Sequence, residues 1–149
     1  MRRLLLGSSV LAVVLGSGSL WAQEASDPDT WYRTVYAPLW GNTPAADAEK
    51  LLLHYSSTIT THNDDGTVTA DERRAWLVEP MAGWTEEGWL RAELLSLETQ
   101  DINASTASFV AQWKDHYRSG DTEVSCGWYL ADLTGGQWII TAYADTQCN

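Results

Sequence analysis

The stretch from residue 89 to residue 145 constrains the fold of this chain most strongly. Four segments within it alternate apolar and polar side chains and are rich in aromatic and β-branched residues: 89–100, 104–117, 122–133 and 137–145. This pattern predicts β-strands, and the short turns between them predict antiparallel neighbours. A sheet of this kind buries one face, so the rest of the domain is expected to pack against it.

The turns predict which residues share a face. A turn at 118–121 sets Tyr117 opposite Thr122, and a two-residue turn at 135–136 sets Leu130 opposite Thr141. Alternation then gives an apolar, aromatic inner face: Phe109, Ala111, Trp113, Asp115, Val124, Cys126, Trp128, Leu130, Ile139, Thr141 and Tyr143. The other face keeps an apolar group too large to leave in water: Val110, Tyr129, Leu133, Trp138 and Ile140. We expect a homodimer through this outer face, with partial cover by the N-terminal segment as the alternative.

Helical patterns precede the sheet. Asp27 and Pro28 predict a helix start, and Pro38 and Gly41 predict its end. This helix has an apolar stripe: Trp31, Tyr32, Val35, Tyr36 and Leu39. A second helix has an apolar face formed by Ala48, Leu51, Leu52 and Tyr55. A third runs over about 70–78 and stops before Pro80, which leaves Trp84 in a loop over the core. The predicted class is α+β, with three N-terminal helices packed on a strongly curved, mainly antiparallel sheet.

The segment 61–72 has two interpretations. It is similar to a calcium-binding loop, because Asn63, Asp65, Gly66 and Glu72 fall at the third, fifth, sixth and twelfth positions. Thr61 departs from that pattern at the first position, and the preceding residues are β-prone. A turn followed by a helix-capping Glu72 explains the same residues, so no metal site is predicted.

The N-terminal residues 1–22 have the pattern of a signal peptide. Arg2 and Arg3 precede an apolar run over 4–15, and Ala22 ends a region of small residues. The run is shorter than the roughly 20 residues of a membrane span, although an uncleaved anchor is the alternative. The sequence predicts a secreted or periplasmic protein, with a single mature domain over 23–149 and no membrane association after cleavage.

Charge and cysteine content narrow the partners of the mature chain. Without Arg2 and Arg3 it carries seven basic residues against all 20 acidic ones, a formal charge near −13. Such a charge repels nucleic acid and anionic membranes. Two cysteines in an oxidising compartment, Cys126 and Cys148, predict a disulfide, since the tail can curl back to reach the third sheet strand. Neither a metal nor a cofactor motif is present in the sequence.

The order of elements resembles the nuclear transport factor 2-like superfamily, which includes ketosteroid isomerase-like and SnoaL-like proteins. The similarity rests on the aromatic first helix over 31–40, on the strand text INASTASFV at 102–110 and on CGWYL at 126–130. It implies a cone whose sheet encloses an apolar cavity capped by the first helix. The expected lining is aromatic: Tyr32, Tyr36, Trp40, Trp113, Trp128 and Tyr143.

The resemblance also suggests acid–base chemistry. Isomerases of this superfamily use a carboxylate base with a tyrosine and a protonated acid that stabilise an oxyanion. Tyr36 matches the tyrosine and Asp115 the acid, while His54 is a candidate base in a dehydratase-like site. Arg91 on the adjacent strand is a possible partner of Asp115, which would make that carboxylate structural. Two hypotheses follow: a non-enzymatic binder of a small apolar or aromatic ligand or of a protein partner, and a SnoaL-like isomerase, cyclase or dehydratase.

Overall fold

A computed structural model describes residues 27–42 and 44–148, so the predicted signal peptide at 1–22 lies outside the described residues. The fold is α+β, with one curved, open six-stranded sheet of order β2-β1-β6-β5-β4-β3. The strands are β1 (Tyr55–His62), β2 (Val68–Glu72), β3 (Trp89–Asn103), β4 (Thr106–Tyr117), β5 (Thr122–Thr134) and β6 (Gln137–Asp145). β1 runs parallel to β6 and every other pair is antiparallel. The four predicted strands are confirmed, and β1 and β2 extend the sheet beyond them. No helix in the described ranges is long and apolar enough to cross a membrane.

The first helix passes through Pro38 and ends at Gly41, within the predicted closing segment. It consists of α1 (Pro28–Trp31), a π-helical turn (Tyr32–Tyr36) and α2 (Ala37–Gly41), and Asp27 caps it by accepting the amide of Thr30 at 3.0 Å. In the π-helical turn the amide of Ala37 donates to the carbonyl of Tyr32. This wider turn comes directly before Pro38, where the ring would otherwise collide with the preceding helical turn.

The second and third helices differ from the prediction. α3 is short, Ala48–Leu52, and Tyr55 belongs to β1. α4 spans Arg73–Glu86 and includes both Pro80 and Trp84, which places neither in a loop. Glu72 caps α4 by accepting the amides of Arg74 and Ala75 at 2.9 and 3.2 Å. Pro80 costs one helical hydrogen bond, but Leu77 and Met81 around it are fully buried against the sheet and keep the helix in place.

The segment predicted as a turn or as a calcium loop is the tip of a β-hairpin. β1 and β2 pair from Thr58–Glu72 to His62–Val68, and the Asn63 amide donates to the Thr67 carbonyl at 2.9 Å. The carboxylate of Asp65 accepts from the amide and the hydroxyl of Thr67. Strands on both sides exclude the helix–loop–helix geometry, so the calcium-loop interpretation is wrong.

The register of the sheet differs by one residue from the predicted register. His116 pairs with Thr122, so five residues lie between the last paired residues instead of the predicted four, and Trp113 faces Ser125. The turn at Gly135 and Gly136 is confirmed, with φ of 58° and 81°, values suited to glycine. A bulge at Thr141 then shifts β6, which sets Tyr143 opposite Tyr129.

Because side chains alternate, this shift exchanges the two faces of β5. The inner face carries Phe109, Ala111, Trp113, Asp115, Ser125, Gly127, Tyr129, Ala131, Leu133, Trp138, Ile140, Tyr143 and Asp145. Val124, Cys126, Trp128 and Leu130 lie on the outer face, opposite to the prediction. The N-terminal helix packs on the inner face and is tied to β3, because Arg33 donates to the Leu97 carbonyl and Thr99 donates to Asp29. A single core of buried aromatic and aliphatic side chains results.

Candidate functional site

A cavity of about 380 Å³ lies between α4 and the inner face of β3 to β6. Nine of its 16 lining residues are aromatic: Trp40, Tyr55, Trp76, Trp84, Trp89, Trp113, Tyr117, Tyr129 and Tyr143. The others are Leu77, Pro80, Ala92, Ser125, Glu87, Asp115 and Asp145. Trp84, Glu87, Ser125 and Asp145 are exposed, so this side of the cavity reaches solvent.

The aromatic wall is continuous because each ring rests on the next. The ring centroids of Trp84 and Trp89 are 5.9 Å apart, those of Trp89 and Trp40 are 6.2 Å apart, and those of Trp40 and Trp113 are 6.3 Å apart. On the other side Trp76 meets Tyr143 edge to face at 5.4 Å. Such contacts fix ring orientation and leave aromatic surface facing the cavity.

Two carboxylates of the lining are held by neutral donors. Asp115 accepts the indole N–H of Trp89 and the hydroxyl of Ser125, each at 2.8 Å. Asp145 accepts the hydroxyl of Tyr143. The expected pairing of Asp115 with Arg91 is wrong, because Arg91 is in register with His116 and so faces the opposite side of the sheet.

Tyrosines fill the core beneath the cavity. Tyr32, Tyr36 and Tyr55 are fully buried, and the hydroxyls of Tyr36 and Tyr55 are hydrogen-bonded to each other. Burial raises the pKa of all three well above the usual value of a tyrosine. Burial raises the pKa of Tyr129 to about 12, although Trp113 and Tyr32 partly oppose this.

Two indole N–H groups of the lining residues are turned away from the cavity. Nε1 of Trp40 and Nε1 of Trp113 are inaccessible to water and make no hydrogen bond of full geometry within the described part of the chain, and the same holds for the Tyr32 hydroxyl. Trp40 nevertheless acts as a donor towards Tyr36, and Trp113 and Tyr32 act towards Tyr129, which partly offsets the rise in pKa of these tyrosines. These polar groups therefore belong to the packed core behind the aromatic wall.

The structure separates the predicted lining residues into three groups. Trp40, Trp113 and Tyr143 border the cavity. Tyr32 and Tyr36 lie in the packed core below it. Trp128 is on the outer face, where its ring meets that of His62 at 6.4 Å, so its assignment to the cavity is wrong as a result of the register shift.

Several lining residues were not predicted from the sequence. They are Tyr55, Trp76, Trp84, Trp89, Tyr129 and Asp145, together with the smaller residues between them. Gly127 is the sequence feature that could have indicated the inward position of Tyr129, because only a glycine leaves room for the neighbouring rings. A Cβ at residue 127 would lie 2.9 Å from Cε2 of Tyr143 and 3.1 Å from Cε2 of Tyr129.

The three candidate catalytic residues do not form one group. Tyr36 and His54 are neighbours in the core, with ring centroids 6.3 Å apart, and burial lowers the pKa of His54. Asp115 is instead in the cavity wall, bonded to Trp89 and Ser125. Tyr36 reaches the cavity only through its hydrogen-bond partner Tyr55.

The predicted disulfide is present. Cys126 in β5 is bonded to Cys148, with Cα atoms 5.4 Å apart. The tail curls back as expected, since the amide of Thr146 donates to the carbonyl of Cys126 at 3.1 Å. The bridge therefore fastens the end of β6 beside the strand that supplies Tyr129.

Replacing Gly127 with alanine is expected to lower the free energy of unfolding by about 1–3 kcal/mol, because the added methyl group displaces the rings of Tyr129 and Tyr143. Denaturant unfolding measures the change. Gly83→Ala in α4 is the matched control: its Cβ meets no atom within 4 Å, and alanine favours a helix. Equal stabilities of the two variants would contradict the close packing at Gly127.

Alkaline pH is expected to unfold the protein as its buried tyrosines ionise. In the unfolded chain they ionise near pH 10, whereas the folded-state pKa of Tyr129 is about 12. Stability is thus retained below pH 10 and is lost as the pH rises towards the folded-state value. Tyr129 alone accounts for a loss of about 2 kcal/mol of stability by pH 12. Tyrosinate absorbance and circular dichroism should change together, and ionisation of the buried rings without loss of structure would contradict this account.

The solved structures similar to this chain share the fold of the nuclear transport factor 2-like superfamily, and the chain has that fold. An NTF2-like protein of unknown function in nutrient uptake from Rhodospirillum rubrum matches with a TM-score of 0.59 and 14% identity over 83% of this chain and 100% of that chain. An uncharacterized protein with a cystatin-like fold from Caulobacter vibrioides matches at 0.58, with 16% identity over 85% and 91% of the respective chains.

A candidate polyketide cyclase from Xanthomonas campestris matches with a TM-score of 0.53 and 15% identity, over 80% of this chain and 89% of that chain. At such identities the similarity establishes the fold and carries no function with it. No protein-family model and no curated protein matches the chain.

Proposed function

We propose that this protein is a secreted or periplasmic binding protein that holds a small aromatic or apolar ligand in the cavity under α4. The observation that carries the proposal is the aromatic wall around about 380 Å³ of space that the packed core leaves open. This volume is within the range of small-molecule sites, about 300–1,000 Å³.

The lining suits a flat ligand. The indole rings of Trp84, Trp89 and Trp40 present consecutive surfaces, and a ring inserted between them would bury apolar area on both of its faces. The carboxylate of Asp115 and the hydroxyl of Tyr117 also border the cavity and are polar groups that could orient such a ligand. A specific small-molecule site usually has a mostly apolar or aromatic lining with a few polar groups.

Titration with the neutral fluorescent probe N-phenyl-1-naphthylamine tests the proposal. Binding is expected to enhance probe emission and quench tryptophan emission. Trp84→Ala is expected to weaken binding about tenfold, because it removes a half-exposed ring of the wall. Trp128→Ala removes a tryptophan outside the cavity and should leave the affinity unchanged. Failure of the probe to bind, or equal weakening by both variants, would contradict a binding role for this cavity.

Native mass spectrometry of protein purified from a periplasm offers a second test. The expected result is a small molecule that leaves on mild activation, and it should be lost in the Trp84→Ala variant.

The same measurement tests the homodimer that we propose through the outer sheet face. The corrected register moves Tyr129, Leu133, Trp138 and Ile140 to the inside, so that proposal now rests on a smaller apolar group around Val110 and Trp128.

Acid–base catalysis in the cavity is the second candidate function, in the manner of SnoaL-like enzymes. The observation in its favour is that Asp115 and Tyr55 both border the cavity. The hydroxyl of Tyr55 is in turn hydrogen-bonded to that of Tyr36. The Xanthomonas campestris neighbour, a candidate polyketide cyclase, is consistent with it. Deuterium exchange at the α-carbon of a small bound ketone would support this candidate if Asp115→Asn abolished the exchange, and no exchange in the wild-type protein would exclude it for that ketone.

A signal peptide at 1–22 and export remain part of the proposal. The disulfide supports export, because such bonds persist in oxidising compartments.

A further inference from the structure

We propose that the ligand of this cavity is an organic cation, an ammonium ion attached to an apolar or aromatic body. This inference rests on the proposed binding function and adds the chemical class of the ligand. It follows from the charges of the lining and from the aromatic faces beside those charges.

The lining contains acidic side chains and no basic ones. Glu87, Asp115 and Asp145 border the cavity, and none of its lining residues is Lys, Arg or His. No ion pair within the described ranges involves any of these three carboxylates. Asp115 receives only an indole N–H and a hydroxyl, and Asp145 only a hydroxyl, so a ligand would meet no competing cation at either carboxylate.

Two of the carboxylates border the same part of the inner face. Asp115 accepts a hydrogen bond from Ser125, and Gly127, the next inward residue of β5, lies opposite Asp145. Asp115 and Asp145 accordingly both raise the pKa of the Tyr129 and Tyr143 hydroxyls electrostatically, in addition to the larger effect of burial. A cation beside Asp115 would therefore be close to Asp145 as well.

Aromatic faces border this acidic region. The indole of Trp89 is bonded directly to Asp115, and Trp84 packs on Trp89 with centroids 5.9 Å apart. Tyr117 and Trp113 are further aromatic residues of the cavity lining. The negative face of an aromatic ring attracts a cation, most strongly that of tryptophan. Aromatic rings combined with carboxylates are the chemistry that recognises substituted ammonium groups.

The charges of the lining also disfavour an anion. An anionic group in the cavity would face three carboxylates, and no lining residue supplies a compensating positive charge.

Isothermal titration calorimetry with three probes on one aromatic body tests the inference: benzyltrimethylammonium as cation, benzyl alcohol as neutral and phenylmethanesulfonate as anion. The cation is expected to bind about tenfold more tightly than the neutral probe, and the anion more weakly than either. Asp115→Asn and Asp145→Asn are each expected to weaken the cation about tenfold and to leave benzyl alcohol unchanged. Asp101→Asn makes the same change of net charge at an exposed position outside the cavity and should have no effect.

The outcomes separate this inference from the proposed function. Binding of benzyl alcohol or N-phenyl-1-naphthylamine as tight as that of the cation would overturn the cationic ligand and leave the binding function standing. Binding of no probe would overturn both. Equal weakening by Asp101→Asn and Asp115→Asn would overturn the site, since net charge would then explain the preference. If Asp115→Asn fails to fold, Asp145→Asn provides the same test at an exposed position.

Discussion

Replacement of Tyr129 by alanine is expected to lower the free energy of unfolding by about 3–4 kcal/mol, the usual cost of removing a large buried aromatic side chain. Tyr129 is 7% exposed on the inner face of β5. Its ring centroid lies 5.2 Å from that of Tyr143 and 5.8 Å from that of Tyr32. Truncation would join the cavity to the core below it, and neighbouring rings held on three strands and a helix cannot collapse fully into the space.

The adjacent Trp128 provides the matched control. It is larger than Tyr129, but it is half-buried on the outer face, and its aromatic contact there is with the exposed His62 at 6.4 Å. Trp128→Ala is expected to cost about 1 kcal/mol, as for a partly exposed side chain. Denaturant unfolding of both variants at equal ionic strength measures the difference. If Trp128→Ala proved the more damaging, the strand would have the opposite face inward and the cavity described above would be wrongly composed.

The same pair of residues shows how far the sequence could predict the site. The alternating pattern identified all four strands of 89–145, yet it suits both faces of β5, because Trp128 and Tyr129 are both large and aromatic. The choice of face then depended on the length of the loop after β4. Five residues instead of the predicted four lie between the last paired residues, His116 and Thr122, and a shift of one residue turns every side chain of a strand to the other face.

The bulge at Thr141 is a second feature that local sequence does not determine. It corrects the orientation of β6 so that Tyr143 points inward, although the turn at Gly135 and Gly136 alone would predict the reverse. Tyr143 was thus assigned to the cavity correctly from a register that was wrong. A bulge depends on how the two strands fit against the core, a non-local property that a single strand pattern cannot report.

The length of α4 also depends on non-local packing. The sequence predicts that the third helix stops before Pro80, in agreement with the average behaviour of proline in helices. The structure continues this helix through Pro80, with Leu77 and Met81 buried around it. Because α4 extends to Glu86, it carries Trp76 and Trp84 over the sheet and forms the roof of the cavity. Because the sequence predicts too short a helix here, it does not predict much of the cavity roof.

Removal of the disulfide by the double substitution Cys126→Ser and Cys148→Ser is expected to lower the free energy of unfolding by about 3 kcal/mol. The bridge closes a loop over a sequence separation of 22, and restricting a loop of that size in the unfolded chain has an effect of about this magnitude. The outer position of Cys126 makes two serines tolerable in the folded state, because Cys126 is only half-buried and Cys148 is exposed. The double variant avoids leaving a free thiol.

Unfolding of the oxidised wild-type protein, the reduced wild-type protein and the double variant separates the cross-link from the side chains. The reduced protein and the double variant should have the same stability, and both should lie below the oxidised protein. The loss should also reach the cavity, since the tail holds the end of β6, where Asp145 lies opposite Gly127. Probe affinity is therefore expected to fall on reduction, and an affinity that is unaffected while stability drops would show that Asp145 keeps its position without the bridge.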